Sequence, residues 1–376
     1  VLLNCPDVDF ISAPLSYIKQ RAMGIDWGDL CAGESIRKHG KLYFIENDIR
    51  TCFSDYPGKV RPESDPEKKM TNALWQGPPT IEGSVMAIRK GFARQFTHSN
   101  AMWWFDMFEG WYSSEKMLGA ISGMVEITER ISAFPRKSCA EVALIGSPES
   151  MYGANKNNNI HDLLLFSQRE GYMRLGAPFD VYSEGDMGKI DFSQYKLIVF
   201  LIPFDLKAET LKIAEKLKEE GKTILWMYAP DYLNGGLDKM KRLTEMEIET
   251  LDARPSVKTG GVLPSPYFCI NDKDAVSVAD YDDGKTSVGY KKCDGHISAY
   301  SAIGNLDAKT LREICRVAGV HIYSDTDPVY VSNRLLGVYA FSDTVLNVKE
   351  DGVYENLFTG EKFEARDGRL FVPAGE

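Results

Sequence analysis

No apolar run in this sequence reaches the roughly 18 residues a membrane span needs. The longest, Leu197–Pro203 and Ile224–Tyr228, are strand-sized, so no membrane partner is expected. Nor is there a basic block. The chain carries 44 Lys plus Arg against 54 Asp plus Glu, a net charge of −10. A nucleic-acid binder needs phosphate-neutralising cations gathered on one face, so that class is excluded. Histidine is scarce, at five residues. His39, His98 and His161 are spread out, and no HExxH or paired ligand spacing occurs, so no catalytic metal is expected. The seven cysteines (Cys5, Cys31, Cys52, Cys139, Cys269, Cys293 and Cys315) are odd in number, scattered and without a CxxC pair. That speaks against a disulfide framework or zinc ribbon and for a reducing, cytoplasmic compartment. There is no GxGxxG and no GK[ST]. Gly146-Ser147-Pro148-Glu149 follows a strand without forming a phosphate loop, so no cofactor is expected. No signal peptide, internal repeat or low-complexity tract is visible; Asn157-Asn158-Asn159 is too short to count. The first residue is Val1 rather than Met, and the chain is expected to be processed, truncated or a fragment.

What remains is ordinary globular composition, 44% hydrophobic and 26% charged over 376 residues. That is enough for two or three domains. The texture changes twice, at Pro135-Arg136-Lys137 and at Asp325-Thr326-Asp327-Pro328, where proline and polar residues interrupt the periodicity. Residues 1–136 read as strand Val8–Ser12, helix Glu34–Lys38, strand Lys41–Ile45 and a long proline-rich loop. Helix Ile81–Phe96 follows behind Thr80, then strand Ala101–Phe108 and helix Glu115–Ile131 behind Ser114. Strand and helix in alternation call for a parallel sheet. Residues 137–325 alternate strands and helices in a doubly wound α/β pattern, with Gly221 ending the helix Lys207–Glu220. Residues 326–376 read as a small antiparallel β domain, with hairpin signals at Asp351-Gly352 and Asp367-Gly368.

Two strings can carry chemistry. In Tyr43-Phe44-Ile45-Glu46-Asn47-Asp48-Ile49-Arg50-Thr51, an apolar run ends in a dense polar cluster. At the C-terminal end of a parallel strand, Glu46 would sit at a site mouth, with Asp48 and Arg50 just beyond. A carboxylate there can attack an anomeric carbon or act as acid or base, and Arg50 would hold it ionised. A strand end with a solvated ion pair reads the same way. In Met102-Trp103-Trp104-Phe105-Asp106-Met107-Phe108-Glu109-Gly110-Trp111-Tyr112, aromatics beside carboxylates suit stacking on sugar rings. Alternate aromatics filling a core would also explain them.

On these strings the first region resembles the last strands of a (β/α)8-barrel glycoside hydrolase of the family 42 β-galactosidase type. Phe10-Ile11-Ser12 with Tyr17 looks like the sixth strand, Glu34-Ser35-Ile36 and His39 through Thr51 like the helix and seventh strand, and Met102–Met107 like the eighth. The resemblance implies an α/β chain: a partial (β/α)8 barrel (strands 6–8), then a flavodoxin- or glutamine-amidotransferase-like domain, then a C-terminal β domain. It implies Glu46 as nucleophile, with Tyr17, Asn47, Asp48, Arg50, Trp103, Trp104 and Asp106 around a carbohydrate substrate. It also implies a homo-oligomer, trimeric in that family. The family's acid/base, a Glu at the end of the fourth strand, has no counterpart here. An N-terminal barrel segment is therefore expected to be missing, and the chain alone to be inactive. The amidotransferase elbow falls on Phe200–Leu206, which holds no Cys or Ser, so His296 and His321 have nothing to activate. The alternative is a non-catalytic protein that binds carbohydrate or assembles oligomers.

Overall fold

A computed structural model of the chain describes residues 2–17, 28–67, 69, 75–134, 136–154, 160, 162–257 and 263–375. Trp27, Pro135, Asn157-Asn158-Asn159 and His161 lie outside the described residues. In chain order, the elements begin with β1 (Phe10–Pro14), α1 (Gly33–Lys38), β2 (Leu42–Asn47), α2 (Pro57–Val60), α3 (Ile81–Thr97), β3 (Ala101–Trp104) and α4 (Glu115–Ile131). They continue with β4 (Val142–Gly146), α5 (Gln168–Met173), β5 (Phe179–Ser183), β6 (Leu197–Phe200), α6 (Ala208–Glu219), β7 (Thr223–Met227) and α7 (Gly236–Thr244). Then come β8 (Ile248–Leu251), β9 (Tyr267–Ile270), β10 (Val276–Asp280), β11 (Thr286–Lys292), β12 (Ile297–Ser301) and α8 (Ala308–Val317). Six short strands close the chain: β13 (Val329–Val331), β14 (Leu336–Val338), β15 (Thr344–Asn347), β16 (Gly352–Glu355), β17 (Lys362–Ala365) and β18 (Arg369–Val372). No described helix is long and apolar enough to cross a membrane.

The chain divides into two compact units. One holds residues 1–31, 39–139 and 326–376; the other holds 32–38 and 140–325. The last fifty residues therefore cluster with the first region, and the short helix α1 clusters with the second.

In the first unit, β1, β2 and β3 form a parallel sheet in that order. Alternation along β2 separates two environments. Tyr43, Ile45 and Asn47 are buried, while Leu42, Phe44 and Glu46 on the other face are exposed or half-buried. The buried face belongs with α3, whose Val85, Ile88, Phe92 and Phe96 recur at helical spacing and are buried. Ile45 and Ile88 are fully buried, and each such side chain contributes roughly 1.5–3 kcal/mol. Thr80 caps α3 by accepting from Gly83 N, and Ser114 caps α4 by accepting from Met117 N. The hydroxyls occupy otherwise orphan helix-start donors. The opposite face of the sheet keeps Phe10 and Leu42 substantially exposed, at 50% and 44%.

The terminal strands pair as β13–β14, β15–β18 and β16–β17, all antiparallel. Asp367 and Gly368 both have positive φ, as a two-residue hairpin turn requires. Asp351-Gly352, the other expected hairpin, is not one. The Asp351 carboxylate instead accepts from Asp367 N and Gly368 N, bracing the real turn.

The second unit is built on one sheet in the order β5-β4-β6-β7-β12-β11-β9-β8, with β10 also on β11. From β5 to β12 the neighbours are parallel, and β11, β9 and β8 extend the sheet antiparallel. The parallel strands β4, β6 and β7 are buried nearly throughout, because helices cover both faces of such a sheet. Phe200 and Trp226 stack with ring centres 4.5 Å apart at its centre. The edge strand β5 is blunted by α1: Glu34 Oε2 accepts from Val181 N at 2.7 Å and Ser35 Oγ from Ser183 N at 2.8 Å. Gly221 ends α6 with φ +77°, the left-handed cap its position predicts.

Candidate active site

Glu46 is the penultimate residue of β2. Its register partners are Pro14 on β1 and Trp103 on β3. Residues of one pleat point the same way, so Ser12, Pro14, Phe44, Glu46 and Trp103 share the face that α3 does not cover. Ring contacts trace that face. Phe10 meets Phe44 at 5.7 Å, Phe44 meets Trp103 at 6.5 Å, and Trp103 meets Phe105 at 5.3 Å. The half-buried Glu46 thus stands at the rim of an aromatic row.

Asn47 points the other way. It is fully buried, and a Cβ on Gly91 of α3 would lie 3.2 Å from both atoms of its amide. Those amide atoms make no hydrogen bond. Trp104, its register partner, packs edge-on against Tyr112 with centres 5.7 Å apart. Strand alternation therefore splits the predicted cluster, with Glu46 and Trp103 on one face and Asn47 and Trp104 on the other.

Beyond the strand end, Asp48 is fully buried and accepts a hydrogen bond from the Tyr17 hydroxyl. Tyr17 follows β1, so this bond joins the ends of two adjacent strands. Arg50, 4% exposed, lays its guanidinium over Trp111 at 4.6 Å and Trp75 at 5.3 Å. A planar, weakly hydrated cation suits such an aromatic pocket better than an ammonium would. Thr51 donates to the Trp111 carbonyl, and Tyr112 donates to the carbonyls of Asn47 and Ile49.

The aromatic string is not one strand. β3 stops at Trp104, and Glu109 and Gly110 adopt φ +69° and +80°, which no strand accommodates. Asp106 builds this turn by accepting from Trp111 N at 2.8 Å; its other carboxylate oxygen is buried without a hydrogen-bond partner. Trp111 is swung back into the core by the turn and is fully buried. Trp75 and Trp111 as the enclosure of Arg50 went unforeseen, since they lie 25 and 61 residues from it in sequence.

In the second unit, the residue after the central strand β7 is Tyr228, with φ +60°. The backbone also bends after β6, within Phe200–Leu206, but there no residue has positive φ, and neither stretch offers a Cys or Ser. The Tyr228 hydroxyl donates to the Pro266 carbonyl at 2.7 Å, and burial pushes its pKa well up. A second polar group was missed in sequence. Glu245, Cys293 and His296 bring a carboxylate oxygen, a thiol and an imidazole nitrogen within 4.8 Å of one another. The signal was the Cys-x-x-His spacing around Asp294-Gly295.

No protein-family model matches the sequence, and no curated protein matches it. Solved structures do match. The β-galactosidase of Bacillus circulans sp. alkalophilus superposes with a TM-score of 0.55 at 15% identity, over 90% of this chain and 60% of that one. A GH42 β-galactosidase from G. stearothermophilus gives 0.58 at 13% identity, over 98% and 58%. The β-galactosidase of the haloarchaeon Halorubrum lacusprofundi gives 0.58 at 13% identity, over 90% and 54%.

The fold is similar to that of the GH42 β-galactosidases. The chain spans a little over half the length of these solved β-galactosidases. At such identities the likeness fixes backbone architecture and leaves residue roles to chemistry. Within the β-galactosidase-like fold, the carboxylate at a parallel strand's C-terminal end is Glu46, and the aromatic beside it is Trp103.

Proposed function

We propose that this chain is the nucleophile-bearing portion of a retaining, β-galactosidase-like glycoside hydrolase. One observation carries the reading. Glu46 lies at the C-terminal end of a parallel strand, level with Trp103, on the sheet face opposite the one packed against α3. The three-stranded sheet is read as strands 6–8 of a (β/α)8 barrel, and the second unit as an amidotransferase-like assembly domain supporting a homo-oligomer, a trimer by resemblance. Residues 326–376 are read as the C-terminal β domain. The exposed apolar side chains Phe10 and Leu42 fit the inner wall of a barrel, closed by strands from a further segment of polypeptide. The cytoplasm is the compartment we assign.

In the proposed reaction, a Glu46 carboxylate oxygen attacks the anomeric carbon of a β-galactoside. A glycosyl ester forms and the aglycone leaves with a proton from an acid. Water then cleaves the ester, giving its proton to the same residue and restoring the carboxylate. Trp103 offers an apolar platform to the sugar's C–H face, and the exposed Tyr17, its hydroxyl held by the buried Asp48 carboxylate, offers a polar contact at the rim. Asn47, Arg50, Trp104 and Asp106 serve by holding the strand end and its turn. The acid must stand about 5–5.5 Å from the nucleophile, and it is assigned to the complementary barrel strands.

The test is Glu46→Gln in the enzyme that contains this chain. Turnover of a nitrophenyl β-galactoside should fall at least about 1,000-fold with the unfolding midpoint unchanged. Near-normal turnover would sink the assignment. The intact mass of the protein from its own cells decides the companion question. A mass near 42.2 kDa, with sugar binding but no turnover, favours the non-catalytic carbohydrate-binding or assembly reading.

A further inference from the structure

Cys293 and His296 face one another across the tip of a hairpin. β11 ends at Lys292, paired with Ile297, and Cys293 N donates to His296 O at 3.0 Å. The two-residue tip, Asp294-Gly295, has Gly295 at φ +81°. Residues directly opposite in an antiparallel pair project to the same side, so thiol and imidazole leave the hairpin together. Glu245 arrives from elsewhere. It is the residue after α7, turned by φ +56°, and its carboxylate completes the group.

The imidazole chemistry of this group calls for a cation. His296 Nδ1 lies 3.4 Å from the Asp294 carbonyl, which suits a proton on Nδ1. Nε2 is buried, makes no hydrogen bond and lies 3.3 Å from Glu245 Oε1. An unprotonated Nε2 directs a lone pair at an anionic oxygen, and only a proton or a metal ion between them makes that contact favourable. The carbonyl behind Nδ1 is the arrangement that orients metal-ligating histidines. Lys218 Nζ, 2.8 Å from Glu245 Oε1, offsets part of the negative charge and fixes the carboxylate. Ligand atoms about 2.0–2.3 Å from one tetrahedral zinc ion lie roughly 3.3–3.8 Å from each other. The observed limit of 4.8 Å therefore closes with a rotamer-scale movement.

We propose that Glu245, Cys293 and His296 form a binding site for a divalent ion of borderline softness, zinc being the type. One thiolate, one imidazole and one carboxylate select zinc, cobalt or nickel over magnesium and calcium. The Glu245 side chain is 35% exposed, giving the ion a route from solvent and leaving a fourth position to water. Binding releases the thiol proton to solvent. The ion clamps the β11–β12 hairpin to the end of α7.

The experiment is titration of the tag-free full chain with Co²⁺, then Zn²⁺. An intense near-ultraviolet thiolate-to-cobalt band should saturate near about one ion per chain, and Zn²⁺ should bleach it. Cys293→Ser should abolish the band, and His296→Ala should weaken binding at least about 100-fold, since even outer partners are worth 10–100-fold. Cys139→Ser should change nothing. No saturable band, or one that survives Cys293→Ser, overturns the site. Should the variants fail to fold, Zn²⁺ should slow alkylation of Cys293 in the unmodified protein, read by peptide mass mapping. Unchanged alkylation also overturns it.

Discussion

Glu46 and Trp103 occupy the same register position on adjacent parallel strands. Their immediate successors, Asn47 and Trp104, are likewise paired but face the opposite side. One step along the chain thus separates the half-buried Glu46 on one face of the sheet from the buried Asn47 on the face packed against α3.

That alternation predicts contrasting tryptophan variants in the enzyme that contains this chain. Trp103→Ala should weaken binding of a galactoside inhibitor by roughly tenfold, the worth of an aromatic platform of about 1.4 kcal/mol, with little change in stability. Trp104→Ala should cost about 2 kcal/mol or more in folding through lost packing on Tyr112. Calorimetric titration and urea unfolding separate the two effects. A reversed pattern would overturn the assignment of faces.

Arg50 is held between Trp111 and Trp75. Lysine keeps the charge but not the flat guanidinium, so Arg50→Lys should destabilise by about 1–2 kcal/mol. The urea midpoint should fall with an unchanged slope. An unaltered midpoint means the stacking contributes nothing.

Gly77 lies directly on the strand-end loop, where a Cβ would fall 2.1 Å from the Thr51 carbonyl oxygen. Backbone cannot yield as a flexible side chain can, so Gly77→Ala should cost at least about 2 kcal/mol. Gly119 of α4 has open space around its would-be Cβ. Gly119→Ala should instead stabilise by about 0.5–1 kcal/mol through helix propensity. Thermal unfolding of both variants checks the contrast.

Asp29 gives the first unit an acid sensitivity. Burial alone would raise its pKa, but the charges of Arg94 and His98 and hydrogen bonds from Arg94 and Gln95 outweigh it and hold the pKa below the ordinary value. A lowered folded-state pKa means stability that is present above the unfolded-state pKa, near about 3.9. It is lost as pH falls through the folded-state value. Asp29→Asn should therefore lower stability at neutral pH and flatten the stability–pH curve below about pH 4. An Asn variant with the same acid-unfolding slope as the parent would remove Asp29 from that role.

Much of the architecture was legible along the chain because its signals are local. Thr80 and Ser114 announce their helices since a hydroxyl before an apolar-periodic run satisfies backbone donors within one turn. Gly221 announces a helix end since few other residues adopt positive φ cheaply. Asp351-Gly352 misled because the same side chain that favours a turn can brace another turn 16 residues away. The run Trp103–Tyr112 misled because aromatic content favours strands, whereas the Asp106 carboxylate and two left-handed residues bend it into a turn.

The sequence by itself determined that an acidic cluster ends an apolar strand at Glu46, and that strands and helices alternate around it. Tertiary structure alone decided which neighbours share its face, because facing follows from register and pleat. It decided that Trp75 and Trp111 enclose Arg50, and that Glu245 meets Cys293 and His296 some fifty residues later. Such contacts form between segments whose closeness no local propensity encodes. They appear only when burial of the whole sheet fixes which strands lie side by side.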